Sequence, residues 1–548
     1  MIRAAFVTVA LGLAPAALFA AEPVGRNGAI VTTLVAPPPG GAVIHGMNGV
    51  GWGVADGMLY VISDLAGTIY KVDPKTRAVS VEVPFPDGGG DDVAQGPDGA
   101  LAWTATAEGE LRYRRPGGKV QVLAHDVPNI NPVAFRSDGR LVAGQVNVPG
   151  TPFFEVDPTG KRPKRIISTD MDELNSFGFG PDGLLYAPAI RVGKAVAIDI
   201  DTGQRTVLAE GFGRLASVKL DGAGRLIALE SRVGHVSRVD PKTGQITRLI
   251  TLPPLVDNTA SGGDNTIYVS SPPDSIVHAV DPVTGAASAF IPGQFTAVGG
   301  LVLTTDKGLP VLMAADDNSY RAIDLATGKV TRRPYVNDPA VAGGGSNDLA
   351  IQGGMVAVSR ARGGVVQLID HAAQKVIFES KDIKTPYGIA FVGDAAMVVA
   401  DYAVGRIVRV DASGTTTLAS GLKGPVGLVM DGPGHVLMTE HTAGAIRRVD
   451  LATGTSVRVA RGLKKPEGLA VLADGRIAVA EAGASRVSII DRKSGRKTVV
   501  AEKLDFSGRF TRMPDEVGFA AGLAIGPDGA LYVSCDGDNS VRKIALAK

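Results

Sequence analysis

Along most of the chain, apolar and polar residues alternate over runs of four to six positions, and each run stops at glycine, proline, aspartate or asparagine. Alternation with a period of two puts successive side chains on opposite faces, which predicts β-strands rather than helices. The runs group into a longer repeat. An apolar strand leads to an Asp-Gly-like turn, a second strand written like "LYV", a third ending in "VD" or "ID", a Thr-Gly turn and a fourth strand. "GMLYVISDLAGTIYKVDPKTRAVSVEV" and "GHVLMTEHTAGAIRRVDLATGTSVRVA" are two of twelve copies. Their spacing of about 40 residues is the period of propeller blades. The aspartates of "VDPKTG" and "IDLATG" (Asp240, Asp324) are expected to set turns by accepting backbone N–H groups.

A single four-stranded blade cannot bury both of its faces, so blades stack around a channel. Twelve in one ring leave a wide hole. The expected fold is therefore all-β, with two tandem six-bladed propellers over residues 28–295 and 296–548. The last blade has three strands, from "GLAIGPDGALYVSCDGDNSVRKI", and needs a fourth. Two spare outer strands are available. "AIVTTLVA" at 29–36 is expected to close the first ring against 266–279, and "AASAFIPG" at 286–293 the second. The rival closure pairs 29–36 directly with the C-terminal blade.

Composition narrows the function. The 56 basic residues balance 55 acidic ones, and aromatics make up 5%. Such a surface offers neither the positive field nor the stacking platforms of a nucleic-acid binder. The opening "MIRAAFVTVALGLAPAALFAAEPVG" has an early Arg3, an apolar run and small residues at Ala20 and Ala21, the layout of a secretory signal peptide over residues 1–21. The run is too short for a spanning helix. The mature chain is therefore expected to be periplasmic or secreted, with no membrane span. Cys535, the single cysteine, has no thiol partner within the chain and reads as a packing residue.

Aligning the blades on their turns gathers residues at the start of each innermost strand, on one rim of the channel. In the first ring these are Asn48, Asp91, Asn131, Asn175, Ala216 and Asp257, with Glu230 at the end of a second strand beside them. Convergent carboxylate and amide oxygens suit a hard divalent cation, calcium above all. Turn and strand-end chemistry favours the same residue types. His45, just before Asn48, is a candidate proton carrier. In the second ring the corresponding set is Gly300, Asn347, Tyr387, Val426, Glu467 and Ala521. Its second strands end in Asp401, Glu440 and Glu481, with His441 after Glu440. Glutamates with a histidine could hold a cation and move a proton. The alternative is that these acids bond the neighbouring blade's turn. Glu440 and His441 can aim together only if a turn begins at His441. The segment 503–520, with Arg509, Phe510 and Arg512, is expected above the second channel.

The repeats resemble those of NHL-type six-bladed propellers, the gluconolactonase and regucalcin-like group, with some blades similar to streptogramin lyase. That resemblance implies a metal in the first channel. Asn131 and Asn175 match the group's metal-binding asparagines. Asn48, in "NGVGW", stands where a glutamate is expected, and Ala216 where an aspartate is expected, with Asp257 one blade further on. "VLMTEHTAGAIRRV" and "PEGLAVLADGRIAVAEAG" resemble lyase blades, which implies metal binding by Glu440, Glu467 and Glu481 and proton transfer by His441.

Two function classes result. One is an exported metal-dependent hydrolase of a small lactone, ester or sugar-acid-like molecule, with Asp257 and Asp91 as its acids, or a lyase through His441. The other is a non-catalytic propeller that binds a small molecule or a protein partner on its loop face.

Overall fold

The computed structural model describes residues 22–38, 43–148, 150, 152–317, 319–333, 346–506 and 517–547. Among them the chain forms twelve antiparallel sheets, eleven of four strands and one of five. Blade 1 is typical, with strands Met47–Trp52, Leu59–Ser63, Thr68–Val72 and Val79–Val83 in sequential order. The second strands are buried over all or most of their length, whereas fourth strands such as Val79–Val83 and Arg205–Glu210 are largely exposed or half-buried. Each Asp-Thr-Gly turn is held as its sequence suggests. Asp240 accepts the N–H groups of Lys242 and Thr243 at 2.8 and 3.3 Å, and Asp324 those of Ala326 and Thr327 at 3.0 and 2.7 Å.

Blades 1 to 6 occupy 47–291 and blades 7 to 12 begin at Leu301. Blade 6 returns to blade 1: Ala260, Tyr268, Val277 and Phe290 share one core with Met47, Val50, Leu59 and Val61. Trp52 stacks on Tyr268 with ring centroids 6.1 Å apart. Blade 12 likewise returns to blade 7, where Ala524, Tyr532 and Val541 pack with Val298, Leu301 and Leu312.

The closure differs from the expected one. Strand Ile30–Val35 pairs antiparallel with Ser540–Ala545, Ile30 opposite Ala545 and Thr33 opposite Arg542, so the rival closure is the one formed. Ala287–Ile291 is the outer strand of blade 6, paired with Val277–Val280, and does not reach the second ring. The reason is edge satisfaction. The turn at Asp281 brings 287–291 back onto its own blade, so the edge of blade 6 is already covered. Between 521 and 547 the chain supplies three strands, which leaves the open edge in blade 12. The N-terminal segment thus belongs to the second ring and the first ring lies between its parts. Val24–Gly25 adds a short fifth strand to blade 11 beside Ala501 and Glu502.

Adjacent blades are stitched at the channel by one recurring hydroxyl. Thr439 accepts the N–H of Gly427 in its own blade and donates to the carbonyl of Glu467 in the next, both at 2.8 Å. Thr104 does the same between Asp92 and Asn131, at 3.1 and 2.6 Å. Ser534 does so across the ring closure, from Gly522 to Gly299, both at 2.7 Å. Where the hydroxyl takes the amide, the innermost strand shifts register, as between Pro425 and Leu428. That bulge brings two consecutive residues to the rim instead of one.

Candidate functional site

The first channel is polar. Asp92, Asn131, Ser176 and Asn258, from blades 2, 3, 4 and 6, are all buried there. Lys219, on the innermost strand of blade 5, donates to the carbonyl of Thr259 at 2.8 Å and reaches Asn258 Oδ1 at 3.4 Å. Ser176 Oγ donates to the same Asn258 oxygen. Asp92 accepts the N–H of Val93 at 3.0 Å and that of Val133 in the next blade at 3.3 Å.

Burial, then the charge of Asp92, pushes the Asp257 carboxyl up to about 6, against the pull of Arg214 and Lys219. Burial also raises Asp92 and lowers Lys219, while Lys219 and the two carboxyls each favour the other's charged form. These three groups therefore interact across the channel. Of the expected rim residues, Asn131 and Asp257 are in this set. Asp92, Ser176, Asn258 and Lys219 were not expected. The first three each directly follow an expected residue (Asp91, Asn175, Asp257), so a bulge at the rim was the missing signal.

Does this set fit a calcium ion? The buried Asn131 Oδ1 has no hydrogen-bond partner, as a metal-binding oxygen would. Lys219, however, brings a cation into the same channel, held by Thr259 O and Asn258 Oδ1 and in the field of both carboxylates. Among the described residues, no three His, Cys, Asp or Glu side chains gather closely enough to hold a metal. The channel fits a resident ammonium better than a calcium cage, so no chemistry is derived through a metal.

The remaining candidates have other duties. Glu230 accepts the N–H of Gly213 at 2.8 Å and faces His235 at 3.3 Å. Glu440 accepts Lys423 N–H at 2.9 Å and Arg447 Nε at 3.0 Å. Glu481 takes Lys464 N–H, Arg486 and Ser488, and Asp401 takes Thr385 N–H and Arg406. In each case an acid at the end of a second strand holds the preceding loop and pairs with a basic residue on the third strand. Glu230, Glu440 and Glu481, expected as metal ligands, each carry these loop and basic-residue contacts. A turn does begin at His441, and it separates the two side chains. His441 faces Glu467, with Nε2 3.8 Å from Oε1, while Glu467 Oε2 accepts the N–H of Ala521 at 2.7 Å.

The second channel is closed at this rim. Gly518 O accepts Asn347 Nδ2 at 2.8 Å and the Tyr387 hydroxyl at 3.3 Å, and Phe519 packs against Tyr387 and Val426. The described end of segment 503–520 thus sits on the second channel, as expected. Arg509, Phe510 and Arg512 lie outside the described residues. Cys535 is buried, and burial pushes its thiol well up, which fits packing.

The two rings meet at their loop rims. Arg321 of blade 7 is 1% exposed. It binds Asp316 at 2.6 Å, and it crosses to Asp274 of blade 6 at 2.7 Å and to the carbonyl of Pro273. His45 lies between Thr296 O and Gly537 O, each at 3.3 Å, so it is a joint residue at this junction. Burial lowers its affinity for a proton. Beside the junction is a cleft of about 830 Å³, whose walls include Asn48 and Asp64 from the first ring and Asp317, Arg360, Arg362 and Lys381 from the second. Burial pushes Asp317 up to about 6. Arg362 opposes that shift, while the charges of Asp316 and Asp64 add to it.

No family model matches the chain, and no curated protein matches it. Solved structures do. The chain is similar to the extracellular domain of a protein from B. thetaiotaomicron provisionally described as a one-component system, at 15% identity over 92% of this chain and 76% of that one, with a TM-score of 0.33. It is also similar to a protein provisionally described as a gluconolactonase (16% identity, 49% of this chain, 95% of that one, TM-score 0.37). A third is an inactive variant of virginiamycin B lyase from Staphylococcus aureus with quinupristin (12%, 53% and 96%, TM-score 0.37). At such identities and scores the likeness concerns the fold and nothing finer.

Proposed function

We propose that this is an exported ligand-binding double propeller, and that the cleft between its rings takes a small polyhydroxylated acid of the sugar-acid class. The observation that carries this reading is the cleft itself. Its volume, about 830 Å³, lies within the range typical of small-molecule sites. Its walls bring guanidinium groups from one ring to a carboxylate from the other. Arg360 and Arg362 suit a carboxylate, and Asp64 and Asp317 suit hydroxyl donors. The test is calorimetric titration with galacturonate and gluconate, against glucose and acetate. Sugar acids should bind best, and Arg362→Ala and Asp64→Asn should each weaken them at least tenfold. Equal binding of glucose, or indifference to both substitutions, would remove this site.

A second reading, hydrolysis of a lactone or ester in the first channel, is favoured by one observation. Asp257, pushed up to about 6 beside Asp92, is tuned toward the range of a general acid or base. Turnover on a lactone and ester panel that survives chelator and is lost in Asp257→Asn would support it. No turnover by the wild type would dismiss it.

A further inference from the structure

The second ring encloses a cavity of about 340 Å³ whose chemistry differs from that of the first channel and the cleft. Its walls are the innermost strands of the six blades, and most of the side chains they present are aliphatic, among them Leu301, Ile389, Leu428, Leu469 and Leu523. Asp348 is the one charged side chain lining it among the described residues. Asn347, Gln352 and Tyr387 are the polar ones.

Asp348 and Ala350 lie two apart on one strand, on the face that meets the next blade at Ile389, and both line the cavity. Protein surrounds Asp348 densely, yet part of its surface opens into the cavity. Each of its oxygens accepts one backbone N–H, Leu349 on Oδ1 at 2.9 Å and Ile389 on Oδ2 at 3.3 Å. A carboxylate has about four acceptor positions, so capacity remains on both oxygens. Room has been left for the group. A Cβ on Gly300 would lie 1.8 Å from Asp348 Oδ1.

A lone carboxylate in an apolar tube is costly unless a cation meets it. Asp316, Asp401, Glu440 and Glu481 each have an arginine, whereas no ion pair of Asp348 occurs among the described residues. We infer that the second channel is a binding site for a small primary amine with an apolar body, its ammonium on Asp348 and its hydrocarbon among the aliphatic side chains. Closure by Tyr387, Gly518 and Phe519 makes one end blind. The ligand therefore enters from the end at Gln352, which is exposed.

Burial pushes the Asp348 carboxyl up to about 7, against its two backbone hydrogen bonds, and no charged side chain contributes. The site is thus ionised above neutrality and protonated below it. Affinity for an ammonium should fall about tenfold from pH 8 to pH 6.

The experiment is calorimetric titration of the full mature chain with 2-phenylethylamine at pH 8, with 2-phenylethanol and 3-phenylpropanoate as matched neutral and anionic probes. The amine should bind at least tenfold more tightly than the alcohol, and the anion most weakly. Asp348→Asn should erase the preference for the amine. Ala350→Leu, which narrows the cavity without touching the carboxylate, should weaken amine and alcohol alike and guards against misfolding of the first variant. Equal binding of amine and alcohol, an undiminished amine preference in Asp348→Asn, or no binding of the amine overturns the assignment.

Discussion

Replacing Arg321 by methionine should uncouple the two propellers. Met keeps the length and apolar stem of the side chain but removes a guanidinium that binds Asp316 and Asp274 and caps the carbonyl of Pro273. The Asp316 side chain is 0% exposed and that of Asp274 15%. Asp316 would keep the N–H groups of Thr296 and Ala297 but lose its counter-charge. Stranding a buried charge typically costs about 3–5 kcal/mol, and that range applies here because both partners are enclosed. The assay is urea denaturation followed by circular dichroism for the whole chain and by tryptophan fluorescence for the first ring, where both tryptophans, Trp52 and Trp103, lie. The circular dichroism midpoint should fall with little change in slope. The stranded carboxyl can take a proton, which raises its folded pKa above the unfolded one. The variant's deficit should therefore be smaller at pH 4 and grow toward pH 8. Asp316→Asn combined with Arg321→Met should recover part of the loss. A cost below about 1 kcal/mol, the level of an exposed pair, or no recovery in the double variant, would refute the reasoning.

Deleting residues 22–36 should destabilise the second ring and spare the first, because it exposes the edge of Ser540–Ala545; the total circular dichroism transition should shift while the tryptophan transition stays. Thr439→Val should cost about 1–3 kcal/mol by stranding Gly427 N–H and Glu467 O, read from the same denaturation curves. Asp257→Asn should stabilise the protein at pH 8 and not at pH 4. The folded pKa of about 6 lies above the unfolded value, so the wild type loses stability as pH rises through 6. Melting temperatures from pH 4 to 8 measure this, and parallel profiles for the two proteins would contradict it.

The blades were legible because the two signals that define them are local. Alternation fixes the strands, and aspartates such as Asp240 and Asp324 fix the turns through bonds two and three residues away. The closure was less legible, because Ile30–Val35 and Ala287–Ile291 are equivalent as strands, and only the occupancy of distant edges separates them. For the acids at the second-strand ends the sequence offered two readings, a cation site and a bond to a neighbouring turn, and local spacing bears on the choice. Each had its basic partner within seven residues, in Asp316 with Arg321, Asp401 with Arg406, Glu440 with Arg447 and Glu481 with Arg486. That spacing spans one hairpin and was visible in the sequence. Lys219 was not legible, since a lysine in "ASVKL" reads as solvent-facing until the ring curls it inward.

One repeat has produced two channels of opposite chemistry, and glycine accounts for the second. In "PYG", "PVG" and "PEG" the glycines Gly388, Gly427 and Gly468 sit against the backbone of the next blade, where a Cβ would lie 2.4, 2.2 and 2.1 Å from the carbonyls of Val426, Glu467 and Ala521. Innermost strands that close admit no side chain at that point. The tube they form is narrow and lined by Ile389, Leu428 and Leu469, the aliphatic residues directly after those glycines. In the first ring Asp92, Ser176 and Asn258 stand at the rim, and the channel has room for Lys219 and two carboxyls. Gly427→Ala tests this account. Gly427 is not among the positive-φ glycines, so any cost comes from space and not from backbone conformation. The obstacle is a main-chain oxygen held by Thr439, which cannot turn aside as a side chain could. Overpacking of this kind costs about 1–3 kcal/mol, and widening the tube should also weaken 2-phenylethylamine at Asp348. An alanine accepted within about 0.5 kcal/mol, with amine binding unchanged, would mean that the ring opens freely and that glycine does not set the width of the channel.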